Sequence, residues 1–158
     1  MTSVSEVDCD VLIVGGGLAG LSLARQLLLQ TGERVLLIDR KELPPRRQKV
    51  GEATVQMSGY YYSKVLEMEE YLLRHHFMKY NLRFYWPTGG GGAFEDFSQS
   101  YIRGLSNIPT YQLDRNTFEA ELLRVCSAAA RFQVAAPVEG LEIDLGTGGA
   151  RHGFRYRT

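Results

Sequence analysis

Two short apolar runs flank a helical repeat near the start of the sequence. Asp10–Val14 and Val35–Ile38 are short and largely apolar, as is typical of parallel strands that are buried on both faces. Between them, Leu18–Leu29 carries apolar residues every three or four positions, contains no breaker, and is followed by Thr31-Gly32. A strand, a helix and a second strand within about 30 residues predict one βαβ unit.

The stretch after this unit is less regular. Lys41–Thr54 is polar, contains prolines and shows no period, so we expect an ordered surface loop. Gln56–His76 has helical character and is expected to form two pieces that break near Met68. Leu82–Trp86 alternates like a strand, and the four consecutive glycines of Pro87–Gly92 predict a flexible or sharply turned loop.

A second clear helix is predicted at Asp114–Ala130. Asp114 is a favoured N-cap residue. Apolar residues recur on one side of this helix, namely Phe118, Leu122, Val125 and Ala129. Ile108–Leu113, which precedes the helix, is expected to be a short strand or an extended segment.

The residues after this helix predict further β-structure. Phe132–Ala135 has the composition of a third buried strand. Val138–Asp144 and Gly153–Arg157 alternate on either side of the glycine-rich turn Gly146–Gly149, which indicates a β-hairpin. A hairpin beside a parallel sheet of two or three strands leaves an unprotected edge. We therefore expect residues 1–158 to be the N-terminal part of a larger protein.

The overall composition excludes several classes of function. The 18 Lys and Arg residues balance the 18 Asp and Glu residues, so the chain has no electrostatic footprint for nucleic acid or for an anionic membrane surface. Its apolar runs are too short to span a bilayer. The polar stretch before Asp10 argues against a signal peptide. Cys9 and Cys126 lack metal-ligand spacing, so we expect no metal site and reduced thiols in a cytoplasmic protein.

A glycine-rich turn joins the first predicted strand to the first helix. Its pattern is G-x-G-x-x-G, in which Gly15 permits a tight turn, Gly17 lets a pyrophosphate approach the backbone, and Gly20 lets the helix pack against the strand. The helix that starts at Leu18 and Ala19 then directs its free N–H groups at the phosphates. The alternative is a tight strand-to-helix turn with no ligand.

An acidic residue follows the second predicted strand. Asp39 lies about 20 residues beyond the glycine turn, where a carboxylate can accept hydrogen bonds from the ribose hydroxyls of an ADP moiety. A negative charge at this position disfavours the 2′-phosphate of NADP. The alternative for Asp39 is a solvated acid at the end of a strand, and the motif alone does not separate NAD from FAD.

Three segments add a resemblance to a known family. The first combines Asp10–Gly20 and Asp39-Arg40 with the V-G-E-A-T sequence of Val50–Thr54, and the second is Lys79–Trp86. The third is Y-Q-L-D-R, which ends at Arg115. Together they resemble the flavin-dependent halogenases of the tryptophan type, within the p-hydroxybenzoate-hydroxylase-like FAD superfamily.

This resemblance implies a cofactor and roles for individual residues. FAD is the implied cofactor, with Arg40 beside the ribose-binding Asp39 and with Val50 and Ala53 in a segment that lies against the flavin. The halogenase pattern places a catalytic lysine at Lys79 and a cofactor-contacting arginine at Arg115. The alternative for Lys79 is a solvated surface lysine, and the alternative for Arg115 is an ordinary residue of the first helical turn.

The resemblance also implies a reaction and partners. Reduced FAD and O₂ would oxidise a halide, and the lysine would deliver the oxidant to an aromatic or other electron-rich small molecule. A separate flavin reductase is a possible source of FADH₂. The W-x-W-x-I-P signature of the halogenases does not occur in these residues. A flavin hydroxylase, a saturating reductase and a truncated nucleotide-binding module without catalytic activity therefore remain alternatives.

The fold class follows from these elements and the resemblance. We expect an α/β fold in which a Rossmann-like FAD-binding βαβ unit lies in a three-layer arrangement with a small β-hairpin or meander. Residues 1–158 would form an incomplete part of an FAD/NAD(P)-binding domain.

Overall fold

The computed structural model describes two compact units of the chain. It covers residues 7–80, 82–89, 92–101, 103–104, 107–148 and 150–157. Gly90 and Gly91 of the predicted loop and Gly149 of the predicted turn lie outside the described residues. The first unit comprises Met1–Val50 and Asp114–Thr158, and the second unit comprises Gly51–Leu113.

Short helices and strands alternate along both units. In chain order they are β1 (Val11–Val14), α1 (Leu18–Gln30), β2 (Val35–Ile38), α2 (Gln56–Tyr60), a π-helical turn (Tyr61–Val65), α3 (Glu69–His75), β3 (Phe77–Lys79), β4 (Arg83–Trp86), a 3₁₀ turn (Phe94–Asp96), β5 (Ser98–Tyr101), β6 (Thr110–Gln112), α4 (Arg115–Ser127), β7 (Phe132–Ala135), β8 (Glu139–Asp144) and β9 (Gly153–Arg157).

A parallel sheet forms the centre of the first unit. Its described strands have the order β1-β2-β7, and Val35 at the start of β2 is paired with Val11 on one side and Phe132 on the other. All four residues of β2 are buried because this strand has a neighbour on each side. The predicted βαβ unit is thus confirmed.

The third strand is less buried than predicted. Phe132–Ala135 forms a strand as predicted, but only Phe132 is buried and Val134 is 41% exposed. The prediction that this strand is buried was wrong, because β7 lies at the edge of the described sheet and has one neighbouring strand there.

The sheet of the first unit lies between two other layers. On one face, Leu36, Ile38 and Val138 form a buried cluster against Phe154 and Tyr156 of the β8–β9 hairpin. Because successive side chains of a strand point to opposite faces, the other residues of β2 point away from this hairpin. Helices α1 and α4 pack on each other and on the sheet. The predicted three-layer α/β arrangement with a hairpin is confirmed.

The buried face of α4 is rotated from the predicted one. Asp114 caps the helix as predicted, because its side chain accepts hydrogen bonds from two N–H groups of the first turn. The buried residues, however, are Phe118, Glu119, Leu122 and Cys126, whereas the predicted Val125 and Ala129 are only partly buried. The helix therefore buries a carboxylate.

The second unit combines a broken helix with two antiparallel strand pairs. Its helical run breaks at residues 66–68, as predicted near Met68, and Leu66, Leu72 and Tyr111 are buried in its core. β3 pairs with β6, and β4 pairs with β5. The sequence did not predict β3 or β5. Within the part of the chain that the structure describes, every helix is too short or too polar to span a bilayer.

Candidate cofactor site

The glycine turn has the geometry that its sequence predicts. Gly15 has a φ of +113°, a conformation that residues with a side chain rarely adopt, and its N–H donates to the Ile38 carbonyl at 2.8 Å. A Cβ on Gly20 would lie 1.9 Å from the Gly15 carbonyl oxygen. Both positions therefore require glycine if α1 is to start this close to the end of β1.

The start of α1 provides a site suited to an anion. Gly17 is the N-cap residue, no side chain caps the helix, and a Cβ on Gly17 would meet nothing within 4 Å. Leu18 is partly buried and Ala19 is exposed. The N–H groups of a first helical turn have no partner within the helix and carry the positive end of its dipole. The open space at Gly17 thus fits the pyrophosphate that the sequence predicts.

Asp39 binds the glycine turn directly. Its Oδ2 accepts a hydrogen bond from the Gly16 N–H at 2.7 Å, and its Oδ1 accepts one from the Lys41 N–H at 2.8 Å. A carboxylate has about four acceptor positions, so these two bonds leave capacity for ribose hydroxyls. The sequence did not predict the bond to Gly16. Arg40, the next residue, is exposed. The ribose-binding role of this pair stays a prediction.

Arg115 is held by groups of the protein. Its Nη1 donates to the Val50 carbonyl at 3.1 Å, and its Nε and Nη2 donate to Glu119 Oε1 at 3.1 and 2.5 Å. Val50 itself is 87% exposed, so its side chain is accessible to a ligand. The structure thus brings together two of the residues predicted to bind the cofactor.

Glu119 is a residue that the sequence interpretation missed. Its side chain is fully buried, and its second oxygen pairs with Lys49 Nζ. The spacing of four residues between Arg115 and Glu119 was an available signal, because such residues are neighbours on a helix. The contact with Lys49, which lies 70 residues away in sequence, had no comparable signal.

Ala53 and Lys79 belong to the second unit. Ala53 is exposed and forms an isolated antiparallel bridge with Gln112. Lys79 is the last residue of β3, is partly buried, and is paired in register with Thr110, whose hydroxyl donates to the Lys79 carbonyl at 2.9 Å. Lys79 thus has a backbone fixed in a sheet rather than in a loop.

A cavity of about 310 Å³ lies in the second unit. It is lined by the aromatic side chains of Tyr80, Phe84 and Tyr101 and by the hydroxyl residues Thr54, Ser100 and Thr110, together with Val55, Gln56 and Leu82. Two of the lining residues adjoin Lys79, since Tyr80 follows it in sequence and Thr110 is its partner across the sheet. An apolar cavity of about 150 Å³ is sufficient for a benzene ring.

Comparison with known proteins gives related chains of greater length. The flavin-dependent halogenase chlA of Dictyostelium discoideum is 35% identical over 128 residues, which are 75% of this chain and 21% of that protein. The chain thus spans about a fifth of the length of this curated relative.

Solved structures share the fold. The myxobacterial chondrochloren halogenase CndH superposes with a TM-score of 0.72 at 24% identity, over 94% of this chain and 32% of that chain. PqsL of P. aeruginosa gives a TM-score of 0.68 at 16% identity, over 86% of this chain and 36% of that chain.

One protein family matches most of the sequence. The model of the family described as FAD dependent oxidoreductase matches residues 10–150, a range that includes the glycine turn, Asp39, Val50 and Arg115. The protein therefore belongs to the FAD dependent oxidoreductase family, and FAD is its cofactor.

Proposed function

We propose that these residues form the FAD-binding part of a halogenase-like flavin monooxygenase. Bound FAD, once reduced, would supply with O₂ the oxidising power to halogenate or oxygenate an electron-rich small molecule. The relative with 35% identity is a flavin-dependent halogenase, which supports this reaction class. The observation that carries the proposal is the position of Lys79 at the end of β3. The next residue, Tyr80, and the partner of Lys79 across the strand pair, Thr110, both line the cavity with aromatic walls.

The first unit would hold the ADP half of FAD. Gly15, Gly17 and Gly20 would admit the pyrophosphate to the amide groups at the start of α1, including those of Leu18 and Ala19. Asp39 would accept hydrogen bonds from the ribose, with Arg40 beside it. The open space at Gly17 supports the pyrophosphate contact, and the position of the Asp39 carboxylate at the glycine turn supports the ribose contact.

The V-G-E-A-T segment and Arg115 would complete the cofactor contacts. Val50 and Ala53 are exposed, so their backbone and side chains can lie against the flavin. Arg115 would place a cation near the phosphates.

The second unit would supply the catalytic amine. An amine suits halogen transfer because its lone pair can bind electrophilic halogen, whereas its ammonium form can donate a hydrogen bond to hypohalous acid. The aromatic walls formed by Tyr80, Phe84 and Tyr101 suit an aromatic substrate. A solved structure of the halogenase PltM contains phloroglucinol and FAD, which makes phloroglucinol a reasonable first probe.

Two further assignments belong to the same proposal. A flavin reductase would deliver FADH₂ to the protein as a separate partner. A cytoplasmic location is supported by Cys9 and Cys126, which form no disulfide in the structure.

The test uses the complete protein that carries these residues. It is incubated with FAD, a flavin reductase, NADH, O₂, bromide and phloroglucinol, and the products are identified by mass spectrometry. We expect a brominated product from the wild type and none from Lys79→Ala, with unchanged FAD binding. Lys64→Ala is the matched control, because Lys64 lies in the same unit and makes a surface ion pair with Glu69.

Other results would redirect the assignment. Wild-type bromination by Lys79→Ala would show that Lys79 is not catalytic. An oxygenated product without bromine would indicate a hydroxylase, and a reduced substrate would indicate a reductase. A colourless wild type that binds no FAD would favour a nucleotide-binding module without catalytic activity.

A further inference from the structure

A buried carboxylate in α4 binds one predicted cofactor contact, Arg115, which in turn binds a second, Val50. Glu119 has no exposed side-chain surface, and both of its oxygens are occupied by cations: Oε1 by Arg115 and Oε2 by Lys49. Removing a carboxylate from water carries a large desolvation cost, and a buried ion pair often stabilises a fold no more than apolar residues of similar size would. The particular contribution of such a group is a fixed geometry for its partners.

The partners of Glu119 lie on two different segments. Arg115 is in the first turn of α4, four residues earlier, and it reaches from Glu119 to the Val50 carbonyl at 3.1 Å. Lys49 precedes Val50 in the polar loop. Glu119 thus binds the end of this loop twice, once through the Lys49 side chain and once through Arg115.

The side chain of Asn116 binds backbone groups of the same loop. Its side-chain Nδ2 donates to the carbonyls of Pro45 and Arg47, both at 2.9 Å, and its Oδ1 accepts from the Lys49 N–H at 3.0 Å. We call the residues 45–50 the clamped segment. Its shape depends on these side-chain contacts because the structure assigns it no helix or strand.

We propose that Glu119 is a positioning residue for FAD, which fixes the clamped segment and orients Arg115 without touching the cofactor. This inference rests on the proposed roles of Val50 and Arg115. The Glu119 carboxylate lies between two cations that would otherwise repel each other and offsets one of their two positive charges, so Arg115 and Lys49 keep one arrangement before FAD binds. If only a fraction of the molecules hold the arrangement that binds the ligand, the apparent affinity falls in proportion to that fraction.

The main test compares Glu119→Gln with Glu121→Gln in the full chain. Glutamine keeps the size of Glu119 and removes its charge. Glu121 lies on the same helix and pairs with Arg124, so its variant removes the same charge beside a different cation. We expect FAD to bind about tenfold more weakly to Glu119→Gln, as measured by flavin fluorescence, because the competent arrangement falls to about a tenth. Glu121→Gln is expected to bind FAD like the wild type.

A second readout reports on the clamped segment without FAD. Trypsin cleaves after Arg46, Arg47 and Lys49, and mass spectrometry identifies each cut. We expect Glu119→Gln to be cut at these sites several times faster than the wild type and Glu121→Gln to be cut at the wild-type rate. A purely structural role would change thermal stability but leave the FAD affinity of the folded protein unaltered.

The two readouts separate this inference from the proposed cofactor site. Wild-type FAD affinity of folded Glu119→Gln would overturn the positioning role, whether or not trypsin cuts faster. A wild-type chain that binds no FAD would overturn the proposed site and the role of Glu119 in it, while the cleavage rates would still show whether Glu119 holds the loop.

A second variant covers the case in which Glu119→Gln does not fold. Asn116→Ala removes the three bonds to the clamped segment and leaves the buried charges paired. We expect it to show faster tryptic cleavage and weaker FAD binding. Wild-type behaviour in both measurements would contradict the inference.

Discussion

Replacing Gly20 with alanine places a methyl group inside the contact between α1 and the glycine turn. The new Cβ would lie 1.9 Å from the Gly15 carbonyl oxygen and 3.2 Å from Ile13 Cγ2. The helix and the turn must then separate by about 1 Å, and overpacking of this kind costs about 1–3 kcal/mol. Alanine returns up to about 1 kcal/mol through its higher helix propensity. Because the atom that the methyl group meets is a backbone oxygen, which cannot turn aside, we take the upper part of that range, about 2–3 kcal/mol, and expect a net loss of about 1–2 kcal/mol.

Replacing Gly17 with alanine separates folding from binding. Its φ of −85° is accessible to alanine, and its Cβ would meet no atom within 4 Å. The change at the N-cap should therefore cost only about 0.5 kcal/mol. The same methyl group would occupy the space proposed for the pyrophosphate, so FAD should bind at least about tenfold more weakly, equivalent to about 1.4 kcal/mol.

The assay combines thermal unfolding with FAD titration. For a chain of this size, the loss predicted for Gly20→Ala corresponds to a fall in Tm of about 2–8 °C. Gly32→Ala is the control, because its Cβ would also meet nothing within 4 Å and it lies outside the glycine turn. A wild-type Tm in Gly20→Ala would refute the close-packing argument. Unchanged FAD binding by Gly17→Ala would refute the proposed pyrophosphate site.

Three further predictions concern stability. Asp114→Ala removes the side-chain cap of α4 and should cost about 1 kcal/mol in urea unfolding, whereas Asp114→Asn should lose much less; equal losses would contradict capping as the cause. Thr54→Val removes a buried hydroxyl that exchanges hydrogen bonds with the backbone of Tyr111 and should cost about 1–3 kcal/mol, with Thr54→Ser as the control that keeps the hydroxyl. Burial raises the pKa of the Cys126 thiol from 9.0 to about 11, so the folded state keeps a proton that the unfolded chain releases. The wild type should therefore lose stability relative to Cys126→Ala as the pH rises from about 9 to about 11, and parallel stability profiles would show that this thiol is not buried.

The elements that the sequence predicts best are those whose pattern is local. The strands and helix of the βαβ unit were located to within a residue. Val35–Ile38 is an unbroken apolar run, and Leu18–Gln30 has a clear helical period with glycines shortly before and after it. The cap at Asp114 is equally local, since its side chain bonds N–H groups within three residues. The glycine turn was predictable for the same reason.

The features that were missed depend on contacts between distant residues. Ser98–Tyr101 is mostly polar and becomes a strand by pairing with Arg83–Trp86, so its own sequence gives no apolar alternation. Glu119 looks like an exposed helix residue until Lys49, 70 residues earlier, is placed beside it. Val125 is only partly buried, whereas the paired Glu119 takes a place in the core that an apolar pattern would not assign to it.

The parallel sheet also sets an order for the assembly of the chain during synthesis. β2 emerges from the ribosome soon after β1, but its other neighbour, β7, follows roughly a hundred residues later, after all of the second unit. At about 5–20 residues per second, one side of β2 stays without its partner for about 5–20 s. Bringing such distant segments together costs only slightly more entropy than closing a shorter loop. The delay therefore bears on aggregation of the nascent chain through the bare edge of an apolar strand, more than on the final stability of the sheet.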